Sequence, residues 1–280
     1  MQTRSAWNFV FMLLMVFLIL AASTNAADLH WYSTVEEGSS AAVKVNKPMF
    51  LDFWADWCAP CKAMEKDLYS NEAFAKVADR FVLVRINFDK KTALVRKYKV
   101  EGLPTVVFTD SYGDEFIRHR GFLNVKPFVQ LMEALPSDVT EFNVFSKILT
   151  QDKNNFEALQ GMAKHLRDAG LFVVSNDYYE KALQRNEPKA NPATREVMMM
   201  DMAQNSLAVK DGAGAADTLE KCLKEFPKSD HRSEWILDLA RAYVLALKKD
   251  KARKLLDGFI QQHPGSAESV KAKALLNSIS

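Results

Sequence analysis

Two cysteines, Cys58 and Cys61, stand two residues apart in the stretch FWADWCAPCK, which runs from Phe53 to Lys62. Thiols at this spacing can form a redox-active disulfide, supply half of a metal site or form a structural disulfide. The apolar run before the pair predicts a strand, and the run after it predicts a helix. We therefore expect Cys58 to project from a helix N-terminus, where unpaired N–H groups favour the thiolate, and Cys61 to lie one turn inside and be shielded.

The metal and structural hypotheses lack support elsewhere in the chain. No second CxxC motif occurs, the five histidines are scattered, and Lys62 stands where haem attachment requires a histidine. A structural disulfide across so short a loop removes little chain entropy. The third cysteine, Cys222, falls at an inward-facing helical position, which indicates a buried small hydrophobe, with a resolving thiol as the alternative. The sequence therefore predicts a redox-active pair that uses no metal and no cofactor.

Strand and helix patterns alternate from Met49 to about Leu135. Short apolar runs predict the strands, and VKPFVQLMEAL closes this part as an amphipathic helix. The predicted strands are MFLDFW, FVLVRINFD, TVVF and the edge strand FIRHRG, and HWYS before Met49 is a candidate for a further strand. This order predicts an α/β fold with one mixed sheet and helices on both of its faces.

The pattern changes after Pro136, and we find no convincing strand from Val139 to Ser280. Apolar residues recur there at helical spacing, and three stretches end alike in prolines that are 39 and 37 residues apart. These prolines are Pro188, Pro227 and Pro264. Their spacing is close to the ~34-residue period of tetratricopeptide repeats. The second part is therefore predicted to be an all-α domain of helical hairpins that resembles such repeats.

The first residues have the pattern of a secretory signal peptide. Arg4 precedes an apolar run from Phe9 to Ala22, and small residues suited to cleavage follow at Thr24 and Ala26. An uncleaved membrane anchor is the alternative interpretation. Either one predicts a periplasmic or otherwise extracytoplasmic location, where disulfides can form and persist.

The predicted domain organisation is a signal peptide at 1–26, a sheet-containing domain at 27–137 and a helical repeat domain at 138–280. The formal net charge of the chain is only +2. A balance this close to neutral gives no reason to expect nucleic acid as a partner.

FWADWCAPCK and the later segment Gly102-Leu103-Pro104-Thr105 together resemble the thioredoxin superfamily over Lys47 to Leu135. The resemblance implies a thioredoxin fold in which Pro104 is cis and lies beside the cysteines. It also implies that the Leu103 backbone can pair with an extended substrate segment. Trp57, directly before the first cysteine, is expected to offer the substrate an apolar platform.

Two acidic residues are predicted to assist the cysteines. Asp52 lies inside the apolar run MFLDFW, where burial should raise its pKa, and the resemblance implies that it exchanges a proton with the second cysteine. Glu65 shares the helical face of the cysteines. The segment from Lys47 to Phe74 is similar to the C-terminal thioredoxin-like domain of DsbD proteins, which has acidic residues matching both. The alternatives are a solvated aspartate at the strand end and an ordinary surface glutamate.

These features predict an extracytoplasmic thiol–disulfide oxidoreductase that reduces disulfide-containing protein substrates. Its upstream electron donor would be another protein, such as a DsbD-like one, and the helical repeats would bind a protein or peptide partner. Oxidase or isomerase activity remains an alternative direction of the same chemistry. The second hypothesis is a chaperone-like or adaptor protein that carries a redox-active thioredoxin domain.

Overall fold

The structure is a computed structural model that describes residues 29–279, so the predicted signal peptide lies outside the described residues. Strands and helices alternate in the first half, as predicted. Its elements are β1 (Trp31–Tyr32), α1 (Val35–Val45), β2 (Met49–Trp54), α2 (Ala59–Met64), α3 (Glu72–Ala78), β3 (Val82–Asn87), α4 (Thr92–Lys97), β4 (Thr105–Thr109), β5 (Glu115–Arg120) and α5 (Val125–Glu133). A π-helical segment, Glu65–Tyr69, continues α2 without a break.

The five strands form one mixed sheet in the order β1-β3-β2-β4-β5. β3 pairs parallel with β1 and β2, whereas β4 runs antiparallel to β2 and to β5. Side chains of β2 alternate between two apolar layers: Phe50 packs with α2, α3 and α5, and Leu51 and Phe53 pack on the opposite face. The predicted thioredoxin fold, a mixed sheet with helices on both faces, is confirmed.

The second half is helical throughout the described residues. Its elements are α6 (Thr140–Gln151), α7 (Phe156–Asp168), α8 (Phe172–Leu183), α9 (Glu187–Ala190), α10 (Pro192–Ala208), α11 (Gly212–Glu225), α12 (Arg232–Leu245), α13 (Lys249–Gln262) and α14 (Ala267–Ser278). Small residues permit close packing between consecutive helices, and Ala163, Ala182, Ala215, Ala240 and Ala252 are all fully buried. The predicted all-α repeat architecture is confirmed.

A buried joint connects the two halves. A β-bulge in the β4–β5 ladder leaves Phe116 unpaired with β4. Its ring centroid lies 5.2 Å from that of Phe142, in the core of the helical half. Nearby, Asn143 donates to Ser111 Oγ at 3.1 Å, and the Ser146 hydroxyl donates to the Asp110 carboxylate. The helical half is therefore held against β5 by apolar and polar contacts, and not by a linker alone.

Candidate active site

Cys58 and Cys61 form a disulfide with an S–S distance of 2.05 Å at the start of α2. Cys58 is the N-cap residue, and its Sγ accepts a hydrogen bond from the Cys61 backbone N–H at 3.2 Å. Pro60 occupies the first turn, where a missing N–H costs no intrahelical bond. The free N–H groups at this helix end face the Cys58 sulfur, so they favour its thiolate once the disulfide is reduced.

Cys58 was expected to be more exposed than Cys61, and this expectation is wrong for the disulfide form. Cys58 is 2% exposed and Cys61 is 4% exposed. The Cys58 sulfur accepts a hydrogen bond from the Cys61 N–H of the helix, and other side chains pack against the pair. These are Trp54, Ala55, Phe88 and Leu103. A nucleophilic role for Cys58 therefore depends on its N-cap position, because exposure does not distinguish the two sulfurs.

Trp57 provides an exposed aromatic surface beside the buried cysteines. Its side chain is 65% exposed, and the indole N–H donates to Asp89 Oδ2 at 2.9 Å. The ring also makes an edge contact with Phe88, which itself packs against the cysteines. These two contacts fix the orientation of an apolar surface that a substrate can contact.

The Leu103–Pro104 peptide bond is cis, and Leu103 packs against the cysteine pair. Thr105 Oγ1 donates to the Gly102 carbonyl at 2.7 Å, and the Gly121 N–H donates to the Pro104 carbonyl at 2.8 Å. The Leu103 backbone makes no hydrogen bond with any other residue between 29 and 279. Its N–H and C=O can therefore pair with an added extended segment.

Asp52 lies within β2 and is only 2% exposed, so the solvated strand-end alternative is wrong. Its side chain alternates with Leu51 and Phe53, which places it in the layer where α2 packs through Met64. Burial raises the pKa of Asp52 to about 6, and nearby Arg85 opposes part of that rise. A carboxyl group with this pKa can exchange a proton near neutral pH.

Arg85 links the two predicted acidic residues, and the sequence analysis did not identify it. Its Nε lies 3.4 Å from Asp52 Oδ2, and its two terminal nitrogens each lie 3.1 Å from a Glu65 oxygen. The guanidinium also lies over the Trp54 ring, 4.6 Å from the centroid. One signal was available: Arg85 is a lone cation in the apolar run FVLVRINF, and β3 neighbours the strand that carries Asp52.

Glu65 lies outside the cysteine cluster. Its side chain is exposed, and the hydrogen bonds from Arg85 lower its pKa. The ordinary surface alternative is thus partly correct, since Glu65 reaches the site only through Arg85. Its geometry suits a positioning role, in which it holds the guanidinium beside Asp52.

Tyr69 is a second residue that the sequence analysis did not identify. Its buried hydroxyl makes no full hydrogen bond in the described part of the chain, yet it lies close enough to Asp52 to interact with it electrostatically. Burial, and then the Asp52 charge, raise the Tyr69 pKa well above its ordinary value. Tyr69 therefore stays protonated and can donate to the carboxylate. An aromatic residue at helical spacing predicts only a core position, so no sequence signal indicated this.

Cys222 is fully buried in the core of the helical half, in agreement with the small-hydrophobe interpretation. Burial raises its thiol pKa to about 12, so the thiolate is strongly disfavoured. Among residues 29–279, no cluster of histidine, cysteine, aspartate and glutamate could hold a metal ion.

Comparisons with known protein families match one segment in each half of the chain. Residues 30–111 match a family described as thioredoxin-like, and residues 206–276 match the tetratricopeptide repeat family. Among curated proteins, the thiol:disulfide interchange protein DsbD of Yersinia enterocolitica is 30% identical over 159 residues, which cover 49% of this chain and 28% of that protein. DsbD of Pectobacterium atrosepticum is 36% identical over 111 residues, which cover 38% and 19%. The chain thus matches less than a third of the length of these relatives.

Solved structures with a thioredoxin fold are also similar to the first half. A thioredoxin from Thermus thermophilus is 24% identical with a TM-score of 0.35, over 38% of this chain and 85% of that one. The oxidised C-terminal domain of Neisseria meningitidis DsbD is 24% identical with a TM-score of 0.34, over 37% of this chain and 97% of that one.

Proposed function

We propose that this chain, a thioredoxin-like domain joined to tetratricopeptide-like repeats, is a thiol–disulfide oxidoreductase that reduces disulfides in protein substrates. One observation carries the proposal. Cys58 and Cys61 form a disulfide at a helix N-cap, in the segment that follows the buried Asp52 strand. Similarity to proteins named for thiol:disulfide interchange supports it.

In the proposed reaction the reduced protein donates two electrons. The Cys58 thiolate attacks one sulfur of the substrate disulfide, which breaks the S–S bond and releases the other sulfur as a thiolate that takes a proton. The Cys61 thiol then loses its proton, and its thiolate attacks the Cys58 sulfur. This second step breaks the mixed disulfide, releases the second substrate thiol and leaves the Cys58–Cys61 disulfide.

Asp52 is proposed to accept the Cys61 proton in the second step. Its pKa of about 6 makes it an effective proton acceptor just above that pH. Arg85 limits how far burial raises that pKa, and Glu65 holds Arg85 in place. Arg85 and Glu65 are thus proposed as positioning residues.

Reduction is the proposed direction because the CAPC motif carries the proline of thioredoxin, whose oxidised form is stable. An external protein dithiol must then return two electrons to the pair, and a DsbD-like protein is the proposed donor. The proposed location is the periplasm, as the N-terminal signal pattern predicts. Within the described part of the chain, no helix is long and apolar enough to cross a membrane.

The repeats, from about residue 138, are proposed to bind the protein partner, and the chemistry belongs to residues 27–137. The buried joint decides how this division should be tested. Cutting the chain after Pro136 would expose Phe116 and would remove Ser146 from the buried Asp110. Experiments on partner choice should therefore use the full chain.

Insulin reduction tests the proposed function. With dithiothreitol as the electron source, we expect the wild-type chain to accelerate precipitation of the insulin B chain. A Cys58→Ser, Cys61→Ser double variant is expected to leave only the rate of dithiothreitol itself. Cys222→Ala is the control and should keep full activity, because that thiol is buried away from the pair. No acceleration by the folded wild-type chain would refute the proposal.

A further inference from the structure

A groove runs between β5 and the start of α8, with one wall from each half of the chain. It has a volume of about 670 Å³ and is lined by residues 114–118 on one side and by residues 170–174 on the other. Leu171 lies at the base of this region, because it packs against the cores of both halves. Val173 is 62% exposed on the helical wall.

The strand that forms the other wall has a free edge. β5 is the last strand of the sheet, and the bulge at Phe116 turns that side chain into the helical half. Beyond the bulge, residues 117–120 have backbone N–H and C=O groups that point away from β4. These backbone groups form no hydrogen bond with any other described residue. An open strand edge presents a row of N–H and C=O groups that another extended chain can pair with.

We propose that this groove binds an extended polypeptide segment, which pairs with the free edge of β5 and packs apolar side chains on α8. Backbone pairing would supply affinity without requiring one sequence, and the apolar wall would select alternate side chains. The inference rests on the proposed function only in identifying the bound segment as part of a disulfide-containing substrate.

The free edge of β5 ends beside the candidate active site. Arg120, at the end of β5, pairs with Thr105, which directly follows Pro104. The Gly121 N–H also bonds to the Pro104 carbonyl. Four residues of strand span ~13 Å. A segment paired with residues 117–120 would thus lead directly to the loop whose Leu103 backbone is free beside the cysteines.

The charges of the groove favour a partner with basic residues. Arg118 forms an ion pair with Glu115, and Lys181 lies over the Tyr178 ring, 4.5 Å from its centroid. Asp114 and Asp177 also line the groove, so three acidic residues face two basic ones. Burial raises the pKa of Asp177 and the nearby Lys181 charge opposes part of that rise, whereas Asp114 forms no salt bridge with another residue of the described chain. Pairing of two copies of β5 would bring these acids together by symmetry, which disfavours a second copy as the occupant.

The test uses a fluorescein-labelled, capped peptide of alternating valine and lysine that contains no cysteine. Successive N–H groups of a strand point to opposite edges, so N-methylation of every valine or of every lysine blocks one edge only. We expect anisotropy titration to show that the unmethylated peptide binds. One methylated peptide should bind at least about tenfold more weakly, and the other should bind within about threefold of the unmethylated peptide. Equal binding by both methylated peptides, or no binding at ~1 mM protein, would overturn the proposal.

Two valine variants locate the site. Val173→Lys is expected to weaken peptide binding about tenfold, because it places a charge on the apolar wall and repels the lysines of the peptide. Val270→Lys, at a position on α14 that is 64% exposed, is the matched control and should bind as the wild type does. Equal affinity of both variants would place the peptide elsewhere and overturn the assignment.

Two further measurements distinguish peptide binding in the groove from dimerisation and from the proposed reductase function. Sedimentation of the wild-type chain should show a monomer, and a dimer abolished by Val173→Lys would make a second copy the occupant and refute the inference. The second measurement is the reduction of a small disulfide by the wild-type chain. If the wild-type chain bound the peptide but reduced no disulfide, the groove would stand and the proposed function would fail.

Discussion

Cys61→Ser is expected to turn the protein into a trap that stays covalently attached to its substrates. Cys58 would still attack a substrate disulfide, but no second thiol could release it, so mixed disulfides would accumulate. Cys58→Ser should neither turn over nor trap, since the sulfur at the helix N-cap is the proposed nucleophile. Turnover by both variants should fall to the uncatalysed rate.

The measurement is non-reducing electrophoresis of each variant after exposure to oxidised insulin, followed by mass mapping of the linked cysteine. Cys222→Ala in the Cys61→Ser background is the control, and it should trap equally well. Adducts on Cys61 in the Cys58→Ser variant, with none on Cys58 in the reciprocal variant, would reverse the two roles.

Asp52→Asn is expected to slow turnover about 100-fold and to remove a rise in rate centred near pH 6. The carboxyl has a pKa of about 6, so the wild-type fraction able to accept the Cys61 proton increases through that pH. A 100-fold loss of rate is the lower end of what proton transfer by a positioned group contributes. We expect the lower end because water can partly replace Asp52 as the proton acceptor. The measurement is the pH–rate profile for reduction of a small disulfide between about pH 4 and 8.

Asp110→Asn is the matched control for this experiment. Asp110 is also buried, and burial raises its pKa to about 6, but it contacts Ser146 at the joint between the halves. Its replacement should leave the rise near pH 6 in place. A profile unchanged by Asp52→Asn would exclude Asp52 from the mechanism.

The stability of Asp52→Asn shows whether a slower rate reflects chemistry or unfolding. The folded-state pKa of Asp52 lies above its ordinary value of 3.8, so ionisation costs the wild type stability as the pH rises from about 4 to about 6. The neutral amide avoids this cost and should be more stable above pH 6, by up to about 3 kcal/mol, with the difference vanishing below about pH 4. A less stable variant at pH 8 would leave its slower rate open to a structural explanation.

Local patterns were sufficient to predict the fold and where several residues of the candidate site lie in it. A buried strand that leads into CAPC and a helix defines the thiol position, and the GLPT segment before TVVF locates the adjoining loop. The burial of Asp52 also follows from its apolar neighbours. Each of these predictions depends on residues that are close together in sequence.

The remaining features depend on how distant segments meet. Arg85 reaches Asp52 only because β2 and β3 pair with those two residues in register. The low exposure of Cys58 depends on Leu103, which arrives from a loop more than forty residues away. Similarly, the bulge that sends Phe116 into the helical half is a feature of the β4–β5 pairing, which the strand pattern alone does not specify.

The equilibrium reduction potential of the Cys58–Cys61 pair tests the proposed reductase most directly. The pair can be equilibrated with dithiothreitol or glutathione buffers, and its redox state followed by thiol alkylation. We expect a potential on the reducing side, nearer the ~−270 mV of thioredoxin than the ~−120 mV of DsbA. A potential near ~−120 mV would make the protein an oxidant, and a pair that stays oxidised well below ~−300 mV would be a structural disulfide. Either result would refute the proposed reductase.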